Sequence, residues 1–213
     1  ECYERQKSRH MILIGITGII GSGKTTVSNM LEKEGFVVID LDRIAKDTLL
    51  QNDVIREIGS RFGKEYVSGD RVNVEKMKKT VFQNEDMLRI LEGITHPKIV
   101  DRLFNDVDSI KKRGAKSIII DGPLLFETGL YKRLDKIVVV SANPEALKER
   151  LIKRGMEQED IEKRMVFQIS LEEKEKLADI VLYNNGTLEG LKREVSKLSE
   201  TIKGWEVEID APE

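Results

Sequence analysis

Eight consecutive residues, Gly18-Ile19-Ile20-Gly21-Ser22-Gly23-Lys24-Thr25, satisfy the spacing G-x-x-x-x-G-K-[ST]. Glycines at these positions let successive backbone N–H groups turn toward phosphate oxygens, and a helix beginning at the lysine adds its dipole. The chemistry expected is therefore capture of a nucleoside triphosphate. Gly18, Gly21, Ser22 and Gly23 supply backbone, Lys24 reaches the β and γ phosphates, Thr25 offers a hydroxyl to Mg²⁺, and Thr26 adds a contact nearby. The strand-like run ILIGIT before the motif and the helical pattern TTVSNMLEKEG after it provide the context such a loop requires.

Acidic residues follow other apolar runs. Asp40 and Asp42 come after the second one and, in an extended chain, project to the same side. A carboxylate at the carboxyl end of a parallel strand can accept a proton from an acceptor hydroxyl. The competing reading is a cap on the helix IAKDTLL. Asp121 closes the run SIIID and resembles an acid that holds a water on Mg²⁺, against the alternative of a turn-forming Asp before Gly122-Pro123. Glu127 is a further acidic candidate a turn later.

Arg150 and Arg154 lie i, i+4 on one helix face, with Arg164 beyond a break. Guanidinium groups there could clamp a transferring phosphoryl group. Ion pairing with Glu149, Glu157 or Glu162 is the alternative. His96-Pro97 reads as an extended residue before a helix start, with a structural histidine.

These groups need a scaffold, and the apolar runs indicate one. Ile12–Thr17, Phe36–Ile39, Ser117–Ile120, Ile137–Val140 and Ile180–Leu182 alternate with helical patterns, which predicts a parallel sheet covered on both faces, an α/β fold. Helix ends are legible too. Asn143-Pro144 is a cap and first residue, Ser170 with Glu173 a capping box, and Lys111, Lys112, Arg113 and Gly114 mark a C-terminus. Leu188, Leu191, Val195, Leu198 and Ile202 form one stripe of a final helix. About 75 residues of mostly helical pattern separate the second and third strands, far more than an ordinary connection, and read as an inserted subdomain. Residues 150–176 form a second charged helical stretch that could close over a ligand, against the alternative of a solvated helical hairpin with no catalytic role.

Composition sets the outer limits. The 213 residues carry 36 Lys+Arg against 38 Asp+Glu, a net charge of -2, so there is no global field to attract nucleic acid or an acidic membrane. The single cysteine, Cys2, excludes a disulfide framework and a cysteine metal site. Arg5, Lys7 and Arg9 before the run Met11–Ile20 imitate a secretory signal. Gly15, Thr17 and Gly18 interrupt that run, so residues 1–10 are read as a polar extension and Met11 as the functional start, with the cytoplasm as the expected compartment. Neither an Asn-Lys-x-Asp guanine-reading sequence nor a Leu-Ser-Gly-Gly-Gln signature is present, which disfavours a switch GTPase and a transporter ATPase.

From Met11 to about Ile202 the chain resembles the dephospho-coenzyme A kinase family. The resemblance rests on GITGIIGSGKTTVSNML, VIDLDRIAKDTL, VFQNEDMLRILEGITHPKI, DGPLLFETGLY, KERLIKRG and EEKEKLADIVLYNNGTLEGL, in that order. It implies a P-loop NTPase fold with a five-stranded parallel sheet, a helical acceptor-binding insertion (about 45–112) and a helical lid (about 150–176) within a domain at 11–205, followed by a tail at 206–213. It further implies transfer of the ATP γ-phosphoryl group, with Mg²⁺, to the ribose 3′-hydroxyl of dephospho-coenzyme A. Asp42 matches the family's proposed base. Lys24 matches the phosphate residue, Arg150 and Arg154 the arginines near the lid that complete the catalytic set, and Thr25 with Asp121, through water, the metal residues. Asp40, Asp42, His96 and Leu124 fall where the acceptor is expected. Small-molecule partners only, and a monomer or weak oligomer, complete the expectation. Ile19 and Leu147 depart from the family, which commonly has glycine and glutamine there, and its usual arginine near Val74 is missing, so an acceptor contact could fall to Arg71 instead. A kinase for another small alcohol, or a nucleotide-dependent binding protein without an acceptor, are the competing readings. The stretches HPKI and DGPLLFE favour the first reading over another kinase.

Overall fold

Branched side chains restrict χ1 and pack well on a pleated surface, so the short Ile/Val runs extend. The computed structural model describes residues 11–156, 161 and 168–210. The expectations for residues 1–10, for Arg164, Glu157 and Glu162, for those parts of the 150–176 lid at 157–160 and 162–167, and for the tail beyond 210 lie outside them. In chain order the elements are β1 (Ile12–Thr17), α1 (Lys24–Lys33), β2 (Val37–Asp40), α2 (Leu41–Thr48), α3 (Asn52–Phe62), β3 (Val67–Ser68), β4 (Arg71–Val72), α4 (Val74–Val81) and α5 (Glu85–Lys112). They continue as β5 (Ser117–Asp121), β6 (Lys136–Ser141), α6 (Pro144–Lys153), α7 (Leu171–Lys176), β7 (Ile180–Tyr183) and α8 (Leu188–Asp210).

Five strands form one parallel sheet in the order β2-β5-β1-β6-β7. Every residue of β1 and β5 is buried, as continuous apolar runs demand when both faces are covered. Ile16 lies opposite Asp121 on β5 and Val138 on β6, so the register brings the carboxyl ends of the central strands together just before the glycine-rich loop. On one face Ile14, Ile119 and Val138 pack with Val27 and Leu31 of α1 and Leu198 and Ile202 of α8. On the other, a Cβ at Gly15 would come within 2.7–2.9 Å of Leu134, Leu125 and Ile137, so this strand position requires glycine.

The chain divides into two compact units. One consists of the described parts of Glu1–Ile39 and Ile110–Glu213, the other of Asp40–Ser109. The second has its own core of Val54, Ile55, Ile58, Met77, Val81 and Ile94. It also contains the two-stranded antiparallel ribbon β3–β4, which a mostly helical reading did not foresee, because two-residue strands are too short to show a period.

Three other expectations change. Helix α5 runs through Pro97 instead of starting there; proline at this position removes one N–H, and the glycine four residues earlier, Gly93, keeps the facing turn small. Leu188 is 57% exposed at the first residue of α8, so the stripe begins at Leu191. The expected tail at 206–213 is helical as far as Asp210, since Trp205 and Ile209 pack against the sheet core and extend the apolar stripe.

Candidate active site

The loop from Gly18 to Gly23 is shaped by backbone geometry that only glycine adopts without strain. Gly21 and Gly23 have φ of 86° and 96°, in the left-handed region. Gly18 is fixed for a different reason: a Cβ there would meet the Val140 carbonyl oxygen at 2.5 Å and Ser22 Oγ at 2.6 Å. Gly23 occupies the N-cap of α1, so the start of the helix and its dipole face the loop, with the Thr26 amide donating to the Gly23 carbonyl at 2.9 Å. Thr25 is exposed in that first turn and Thr26 half-buried. Ser22 is buried, and its Oγ has no hydrogen-bond partner among the described residues.

Lys24 opens α1 and its ammonium pairs with the carboxylate of Asp121 at the end of β5. Both side chains are largely buried, 13% and 6% exposed. Asp121 therefore stands at the phosphate loop rather than serving only as a turn residue. Oxygen donors such as the Thr25 hydroxyl and the Asp121 carboxylate suit a hard cation such as Mg²⁺.

Arg150 sits against the phosphate loop itself. Its Nη1 lies 3.4 Å and 3.3 Å from the carbonyl oxygens of Gly21 and Ser22, and its Nη2 donates to the carbonyl of Asn184 at 2.7 Å. Asn184, buried, donates through Nδ2 to the Ser22 carbonyl at 2.8 Å. The guanidinium thus braces the loop, because its planar, divergent donors can reach several carbonyls at once. Glu149 pairs instead with Lys153 at 2.6 Å. Arg154, at the C-cap of α6, is exposed.

Asp40 and Asp42 do not project together as an extended chain would place them. The chain becomes helical at Leu41, and Asp40 Oδ1 caps α2 by accepting from the amides of Asp42 at 2.8 Å and Arg43 at 3.2 Å. Asp42 lies in the first helical turn and is exposed. Within the same unit His96 is half-buried on α5. Leu124 is 36% exposed in the turn after β5.

Sequence reasoning missed three residues that touch this site. Gln168 accepts from the Ile20 amide at 3.3 Å through Oε1, Asn184 braces the loop, and Lys174 is fully buried beside Glu127. The capping box at Ser170 places Lys174 one turn into α7, yet its burial is hidden in a run of charges. A cavity of about 1080 Å³ next to the loop is lined by Ile19, Ile20, Leu147, Leu151, Asn143 and Asn185 among others. Ile19 and Leu147, the departures from the resembled family, both make its wall more apolar.

A left-handed glycine loop running into a helix, with a lysine against the acid that closes the neighbouring strand, defines a kinase of the phosphate-loop fold. A family model described as dephospho-CoA kinase matches residues 12–190, and the chain belongs to that family. A dephospho-CoA kinase of Fusobacterium nucleatum is 41% identical over 194 residues, 90% of this chain and 99% of the relative. The structure of TT1252 from Thermus thermophilus superposes with a TM-score of 0.80 at 34% identity, covering 91% of this chain and 99% of that one. That of the dephospho-CoA kinase from Campylobacter jejuni gives 0.69 at 28% identity, covering 90% and 98%.

Proposed function

We propose that this protein transfers the γ-phosphoryl group of ATP to the ribose 3′-hydroxyl of dephospho-coenzyme A, giving coenzyme A and ADP. The observation that carries the reading is the Lys24–Asp121 pair at a complete phosphate loop, in a chain of this family. In the reaction the 3′-oxygen attacks the γ-phosphorus, the bond to the β-bridging oxygen breaks, and the hydroxyl proton passes to a carboxylate, assigned to Asp42. Lys24 leaves Asp121 to neutralise β- and γ-phosphate oxygens. Loop amides other than those of Ile20 and Ser22, which are already hydrogen-bonded, cradle the same oxygens together with the start of α1 and the Thr26 hydroxyl. Thr25, and Asp121 through water, would hold Mg²⁺, which supplies charge neutralisation when bound with ATP.

Arg154 is the arginine assigned to the transferring phosphoryl, while Arg150 acts through the loop it braces. Asp40 keeps α2 in register so that Asp42 is presented, and His96 and Leu124 are assigned to the acceptor side. The reading assigns ATP and dephospho-coenzyme A as partners, a cytoplasmic setting, and a monomer or weak oligomer. No helix among the described residues is long and apolar enough to cross a membrane.

The test is ADP release by the purified protein with MgATP, with and without dephospho-coenzyme A, against adenosine and a nucleoside monophosphate, with the product identified by mass. Release stimulated by dephospho-coenzyme A alone is expected. Asp42→Asn should still bind MgATP while kcat falls about 100-fold or more, the loss typical of a removed acid–base group. Unchanged turnover in that variant would remove Asp42 from the chemistry.

A further inference from the structure

An ammonium taken out of water is tolerated only when paired and hydrogen-bonded. Lys174 meets both conditions: it is fully buried, and its Nζ contacts Glu127 Oε1 and donates to the Pro123 carbonyl, each at 2.8 Å. The Pro123 carbonyl also accepts from Thr17 Oγ1 at 3.2 Å, the residue just before Gly18. In the other direction, Glu127 Oε1 accepts from the amide of Ile169 at 2.9 Å, and the adjacent Gln168 accepts from the amide of Ile20. These bonds form a circuit that leaves the end of β1 at Thr17, crosses the turn after β5 and the buried pair, and returns to the chain at Ile20 within the phosphate loop.

We propose that Lys174 and Glu127 are positioning residues for phosphoryl transfer, whose buried pair holds the turn after β5 and the root of α7 against both sides of the phosphate loop. The proposal rests on the kinase reading above. Stability alone does not account for the pair, because two apolar side chains of similar volume commonly serve a core as well or better. Moreover, Glu127 Oε2 is buried without a hydrogen-bond partner among the described residues, which is a further cost to the fold. Burial pushes the Lys174 amine below its ordinary range, the hydrogen bond and charge of Glu127 pull it back up, and the charge of Lys24 adds a smaller downward push. The circuit and the catalytic lysine thus share one electrostatic neighbourhood.

The double variant Glu127→Gln with Lys174→Met removes both charges while keeping the shape. Its urea midpoint should equal or exceed that of the wild type, with Lys174→Met alone less stable because Glu127 loses its counterion. The double variant's kcat for dephospho-coenzyme A-dependent ADP release should fall about tenfold or more, with KM for MgATP within about threefold. Amide exchange at Ile20 should accelerate about tenfold, with Ile14 in β1 unchanged. A double variant that turns over within about twofold of wild type, with Ile20 exchange unaltered, overturns the proposal. Should it fail to fold, Gln168→Leu breaks the circuit without touching either charge and is judged on the same readouts. A wild type inert toward dephospho-coenzyme A would overturn the kinase reading and the catalytic part of this proposal; the Ile20 exchange rates would still decide whether the circuit exists.

Discussion

Two aspartates two residues apart have separate roles because the backbone changes conformation between them. Asp40 is extended and its carboxylate is occupied by two amides, whereas Asp42 has entered the helix and is exposed. Arg150 shows a similar division between charge and geometry. Its guanidinium spans carbonyls on the loop and beyond β7, which a single ammonium cannot do. Arg150→Lys should therefore raise KM for MgATP about tenfold, with kcat less affected, because loop shape governs binding before chemistry. Steady-state kinetics decide the point, and a KM within about twofold of wild type would refute the bracing role.

At the level of elements, short side-chain bonds decide where helices begin. Asn143 caps α6 by accepting from the Ala146 amide at 2.8 Å, with Pro144 in the first position. Ser170 and Glu173 form the reciprocal capping box of α7. Both were legible in sequence because caps are local. Within the 40–109 unit, α3 and α5 are joined by an ion pair between Asp53 and Lys98. The hydrogen bond from Lys98 holds Asp53 below its ordinary 3.8, and the reciprocal bond raises Lys98 above 10.5. A lowered carboxylate contributes stability above its unfolded value, and this is lost as pH falls through the folded one; a raised lysine loses its contribution as pH climbs past its own. Both groups are exposed enough for salt to weaken the effect. Following the urea midpoint as pH falls below 3.8, Asp53→Asn should flatten the acid-side decline relative to wild type. Parallel declines in the two proteins would show that the pair contributes nothing.

On the scale of the whole molecule, the parallel sheet carries the site because its central strands end together and its faces are covered by helices. Ile202 is fully buried in the core that α8 and α1 build on one face. Burial of an isoleucine side chain is worth about 1.5–3 kcal/mol, and truncation leaves a cavity as well. Ile202→Ala should lower unfolding stability by about 2–5 kcal/mol in urea denaturation, with KM for MgATP unchanged in the folded protein. A loss under about 1 kcal/mol would mean that α8 repacks freely, contrary to a close-packed core.

The phosphate loop, the strand runs and most helix ends were determined by sequence alone, because glycine torsions, side-chain period and capping bonds act over a few residues. The same locality explains the misreadings. Pro97 read locally marks a helix start, but α5 continues through it, and the β3–β4 ribbon offers too few residues to show a pattern. Tertiary structure alone decided that Arg150 and Asn184 hold Ser22, and that Lys174 is enclosed with Glu127. The Ser22 partners lie 128 and 162 positions away in the chain, and a charged side chain carries no local mark of the burial that assigns its work. Folding brings such groups together by packing helices on a common sheet, and only then do their charges acquire partners.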